Sequence, residues 1–172
     1  MLGDLTEKIQ ASANKIEKLV ATIPGYAGYK QKEQRREADK LLRLHVAREY
    51  EAQLKRANKL QYDLSGQGQL RVIVALDRAI SKLQLLVDRI RNASYGYAGL
   101  FDAVKVDEAT LDALYEFDQA MLEGVQVVAA RLDKLAELAG GDGATVSDVN
   151  ELVAEMESLN ATFGQRQDVV LR

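Results

Sequence analysis

One imidazole and two carboxylates are the residues here whose type and spacing bear on chemistry. His45 is the only histidine, and Glu49 follows it one helical turn later. On a helix, His-x-x-x-Glu puts two metal-ligating groups on one face, which is half a site. Di-metal carboxylate sites in helical bundles draw Glu from two helices and Glu-x-x-His from two more. No Glu-x-x-His occurs in this chain. A carboxylate-only site, or one completed at a dimer axis by a second His45 and Glu49, is the form a metal reading would take; the alternative is a half-buried, hydrogen-bonded histidine beside Leu44 and Val46. Asp118 is the second carboxylate. It interrupts the apolar series Leu111, Leu114, Met121, Val125, Val128, Leu132 and Leu135, spaced by threes and fours. That position predicts burial, and burial demands a cation or a donor in answer. A polar residue that fixes helix register is the structural reading of Asp118, and a reactive acid the chemical one. No nucleophile, second acid or oxyanion donor is placed beside it by the sequence, and no catalytic residue is assigned.

Other reactive constellations are missing. There is no cysteine, so thiolate metal sites and disulfides are excluded. No phosphate-binding Gly-rich loop with Lys, dinucleotide fingerprint or serine elbow occurs. The glycines of 140–144 join two helical segments and carry Asp142, which repels phosphate. No cofactor is expected.

The elements that must position these residues are helical throughout. A stripe of Leu5, Ile9, Ile16, Leu19 and Ile23 predicts a helix over 4–23, closed by Pro24-Gly25. Leu42, Val46, Tyr50, Leu54, Ala57, Leu60 and Leu64 predict one over 29–64, broken by Ser65-Gly66-Gln67-Gly68. Ile73, Leu76, Ile80, Leu83, Val87 and Ile90, widened by Val72, Ala79 and Leu86, predict a helix over 69–92. The Asp118 series predicts 107–139. Val149, Leu152, Met156, Leu159 and Phe163, opened by a Thr145 or Ser147 cap, predict 146–163, with fraying after Gly164. The expected fold is all-α: a single domain over 1–172, an antiparallel up-down bundle with a four-helix core and a fifth, C-terminal helix.

Gly-Tyr-Ala-Gly occurs twice, at 25–28 and 96–99, an offset of 71 residues that also matches Leu5 to Leu76 and Ile9 to Ile80. Up-down connectivity would bring Tyr26, Tyr29, Tyr95, Tyr97 and Phe101 to one pole. There they either plug the end of the core or form a recognition patch flanked by Arg35 and Arg36.

The formal net charge of −3 conceals a split. Residues 1–105 carry 19 Lys/Arg against 12 Asp/Glu, and residues 106–172 carry 4 against 14. A basic half facing an acidic half within one bundle is the plain reading of this. Nucleic acid is not expected as a partner, because the acidic half opposes long-range attraction. No apolar run approaches a membrane span and no signal peptide opens the chain, so integral membrane association is not expected and a cytoplasmic location is.

The segment Pro24-Gly25-Tyr26-Ala27-Gly28-Tyr29, followed by Glu33, Arg35, Arg36, Glu37, Ala38, Asp39 and Lys40, resembles a pattern in a family of bacterial all-helical proteins without assigned activity. The resemblance covers some twenty residues and implies a bacterial, cytosolic origin and no chemistry. The function expected is that of a non-catalytic bundle acting through a protein partner or self-association, as a homodimer for example. The alternatives are a carboxylate-metal or small-ligand bundle built on Asp118, Glu49 and His45, and a peripheral membrane or scaffold protein using the basic half.

Overall fold

A computed structural model describes residues 32–93, 108–141 and 143–170, with side-chain environments over 41–93, 117–141 and 143–165. Among the described residues there are four helices, α1 (Lys32–Ser65), α2 (Leu70–Asn92), α3 (Glu108–Gly140) and α4 (Val146–Val170), and no strand. The expected helix at 4–23 and both Gly-Tyr-Ala-Gly turns lie outside them. The chain divides into two compact units, Met1–His45 and Val46–Arg172. In the first, the described residues are the opening turns of α1, where Leu42 and Arg43 are buried.

The second unit is packed helix on helix. Every α1 stripe position from Val46 to Leu64 is buried, and so are Met121, Val125, Val128, Leu132 and Leu135 of α3. Val149, Leu152, Met156, Leu159 and Phe163 do the same for α4. Each fully buried aliphatic side chain contributes about 1.5–3 kcal/mol of transfer free energy. On α2 the face is rotated from the expected one. Val72, Ala75, Leu76, Ala79, Leu83, Leu86, Val87 and Ile90 are buried, while Ile73 and Ile80 are half-buried. The residues that widened the stripe mark its centre, because small Ala75 and Ala79 admit a neighbouring helix closely.

The connections follow from glycine. Gly68 and Gly143 take positive φ, 71° and 94°, which L side chains rarely adopt. At the end of α3 the Gly143 amide donates to the Leu138 carbonyl at 2.8 Å, closing the last turn. Helix α4 then opens on a reciprocal cap. The Asp148 amide donates to Thr145 Oγ1 (3.3 Å), while the Thr145 amide (3.0 Å) and hydroxyl (2.5 Å) donate to Asp148 Oδ2. These bonds, with Lys134 nearby, hold the Asp148 carboxyl below the ordinary aspartate value of 3.8. A carboxyl depressed in the folded state stabilises the fold above its unfolded value, and that contribution is lost as pH falls through the folded one. Asp148→Asn is therefore expected to lower the urea midpoint at neutral pH, with the deficit shrinking below the ordinary carboxylate range. A deficit independent of pH would contradict the cap.

Unlike the expectation of fraying, α4 runs through Gly164 to Val170. A helical glycine costs only about 1 kcal/mol. Here the position is also useful, since a Cβ on Gly164 would meet Arg89 Nη2 at 3.3 Å.

Candidate interaction surface

Two polar clusters within the second unit tie helix to helix. Tyr50 is fully buried, and its hydroxyl donates to the Met121 carbonyl at 2.7 Å. Burial first, and then the Glu155 charge, push its pKa well above the ordinary tyrosine value, so it stays a donor. Across from it, a Cβ on Gly124 would lie 2.5 Å from Leu159 Cδ2 and 2.6 Å from Tyr50 Oη. The missing side chain at Gly124 is what allows Tyr50, α3 and α4 to meet.

A second cluster joins α2 to α4. Asn160 Nδ2 donates to the carbonyls of Lys82 (3.0 Å) and Met156 (2.9 Å). Arg89 Nη1 donates back to the Asn160 carbonyl at 2.7 Å and to its Oδ1 at 3.2 Å. The same guanidinium lies 5.4 Å from the centre of the Phe163 ring, which meets Phe117 at 6.4 Å and a tilt of 57°. Each helix thereby satisfies backbone carbonyls of the other, which fixes their register. Ion pairs finish the seams: Arg56 with Asp133, Lys82 with Glu157 (2.9 Å), Arg91 with Glu51 and Arg131 with Glu151.

Asp118 is buried, 6% exposed, and is engaged by a partner. His45 and Glu49 both lie on α1 and are half-buried. Among the described residues no group of three or more His, Cys, Asp or Glu is arranged to hold a metal ion. Arg35 and Arg36 fall in α1, with side chains outside the described set, and Tyr26, Tyr29, Tyr95, Tyr97 and Phe101 lie outside the described residues altogether. The aromatic pole is thus not brought together or separated by anything described.

The surface holds what sequence reasoning passed over. Leu70 (72% exposed), Val74 (65%) and Val146, with Arg71, line an open groove of about 370 Å³ where α2 and α4 begin. Tyr62, 79% exposed, precedes it at the end of α1, and Leu85 stands out of α2. The signal was present: Leu70, Val74 and Leu85 belong to none of the stripes, yet recur on one face of α2. A smaller cleft of about 150 Å³ lies between α1 and α3, lined by Arg56, Lys59, Leu60, Asp63, Leu132 and Ala136. Its cations are spent on Asp133 and Asp63.

Among the described residues no helix is long and apolar enough to cross a membrane. No protein family, curated protein or solved structure matches the chain.

Proposed function

We propose that this chain is a non-catalytic helical bundle that works by binding a protein surface, its own or another's. The observation that carries the reading is the groove of Leu70, Val74 and Val146. Leu70 and Val74, 72% and 65% exposed, adjoin half-buried Val146 in one apolar surface, and such contiguous exposed patches mark interaction sites in water-facing proteins. The interior supports the same reading, because Tyr50 bonds to the Met121 carbonyl of α3 and Asn160 to the Lys82 carbonyl of α2, which ties helix to helix.

We infer an antiparallel up-down topology for the four helices. Supporting it, Glu51 and Gln61 of α1 meet Arg91 and Asp77 of α2, in opposite chain order. Arg131 and Lys134 of α3 meet Glu151 and Asp148 of α4 in the same reversed sense. The cytoplasm is the setting that suits a cysteine-free chain of this kind.

Sedimentation velocity across a concentration series, with affinity capture from an extract, tests the reading. The wild type is expected to associate with itself or to retain a defined protein. Leu70→Ser/Val74→Ser is expected to lose at least about tenfold in that affinity, with an unchanged melting temperature. Equal binding by variant and parent would overturn the role of the groove.

A further inference from the structure

Helix α2 repeats itself every eleven residues on the side it turns outward. Leu70 and Ser81, Val74 and Leu85, Asp77 and Asp88, and Arg78 and Arg89 are each eleven positions apart. Eleven residues make three turns of about 3.67 residues, close to an unstrained helix, so the repeated positions run nearly straight along it. Leu70 (72% exposed), Val74 (65%) and Leu85 (52%), with exposed Ser81, form the middle of this face. The two aspartates fall on one edge and the two arginines on the other. The contacts agree. Asp77 accepts from Gln61 of α1 at 3.4 Å, whereas Arg78 and Arg89 donate to Asn150 (3.4 Å) and Asn160 (2.7 Å) of α4. Asp77 and Arg78 are exposed, and neither enters an ion pair among the described residues.

A face with acid along one edge and base along the other is complementary to itself, in one direction only. Two copies of α2 laid side by side and pointing the same way bring the acidic edge of each against the basic edge of the other. Leu70, Val74 and Leu85 then meet their own counterparts. Asp77 of each copy lies one residue step from Arg78 of the other, about 1.5 Å along the axis. Asp88 stands likewise to Arg89. Pointing opposite ways, each edge meets itself: with Leu70 stacked on Leu85, Asp77 faces Asp77 and Arg78 faces Arg78, which is disfavoured.

We propose that the Leu70–Val74 groove is covered by the α2 face of a second copy of this chain, the two helices parallel about a two-fold axis. This rests on the protein-binding reading above and names the partner. The contact is isologous and closes at two copies. From Leu70 to Arg89 it runs about 28 Å along the helix, which lies at the small end of interface sizes and makes the dimer reversible. Its apolar middle outlasts added salt, while its ion pairs are screened.

The test uses the full chain in sedimentation velocity, with circular dichroism as a check of fold. The wild type is expected to pass from monomer to dimer as concentration rises, and added salt to weaken the dimer only in part. Leu85→Ser, outside the groove but on the same face, is expected to weaken it about tenfold. Asp77→Lys and Arg78→Glu, each alone, are expected to do the same, and their mixture to regain the wild-type affinity. Direction is read by oxidising Ser81→Cys, in a chain that has no other cysteine. Parallel helices are expected to join its thiols in a disulfide far faster than those of Ala130→Cys, an exposed position on α3. A wild type that stays monomeric overturns the proposal, as does a Leu85→Ser variant that dimerises like the wild type. A disulfide that forms only between Ser81→Cys and Val74→Cys overturns it too. If a monomeric wild type still retains another protein, and Leu70→Ser/Val74→Ser releases it, the second copy fails while the protein-binding reading stands. If it retains none, both fail.

Discussion

Gly124→Ala is expected to destabilise the bundle by roughly 1–3 kcal/mol, against what helix propensity alone would dictate. Alanine is favoured over glycine inside a helix by about 1 kcal/mol, so an unconstrained site would gain. Here the new methyl would lie 2.5 Å from Leu159 Cδ2 and 2.6 Å from the Tyr50 hydroxyl. Neither neighbour retreats freely. Leu159 is buried at 6% exposure, and Tyr50 is tethered to the Met121 carbonyl. Relieving the overlap means moving α4 or breaking that bond, and the loss outweighs the propensity gain. Removing the obstructing atoms with Leu159→Ala should make the double variant less damaged than the two single losses summed. Urea unfolding of the four proteins measures this. An unchanged or raised midpoint for Gly124→Ala would show that the helices do not approach as described.

Tyr50→Ala has the larger expected effect, about 3–5 kcal/mol, as for other buried aromatics cut to alanine. The ring is fully buried in α1 against Gly124 of α3, so its removal opens a cavity in the seam. Tyr50→Phe separates the contributions. It keeps the ring and removes only the bond to the Met121 carbonyl, worth about 1 kcal/mol. A phenylalanine variant as damaged as the alanine one would move the weight from ring to hydroxyl and contradict this division.

How far these features were legible in the sequence depends on what decides each. The α1 stripe from Leu42 to Leu64 and the α4 stripe from Val149 to Phe163 follow from periodicity, because a helix buries one face whatever its neighbours are. Periodicity also placed Asp118 in the seam. It could not centre the broad α2 face, where Ile73 and Val72 compete and only the neighbouring helices decide. Tyr50 was read as an apolar residue. That its hydroxyl needs a partner follows from burial, but that the partner is the Met121 carbonyl depends on the spacing of α1 and α3. Gly124 carried a readable signal, a glycine inside a long helix, whose meaning required knowing that Leu159 faces it. Asn160 carried none, since an asparagine one turn past Met156 could as well have faced water. The groove was obscured for a related reason: Leu70 and Val74 look like any helical aliphatics until the packed face is known to turn the other way.

A concentration series of amide NMR spectra on the full chain tests most directly whether this bundle acts through its outer faces while its interior stays inert. Shifts that grow with concentration at Tyr62, Leu70 and Val74, with Tyr50, Asp118 and Leu152 unmoved by added divalent cations, are the predicted result. Cation-induced shifts converging on Asp118, with Tyr62, Leu70 and Val74 unmoved both by concentration and by a captured protein, would contradict it.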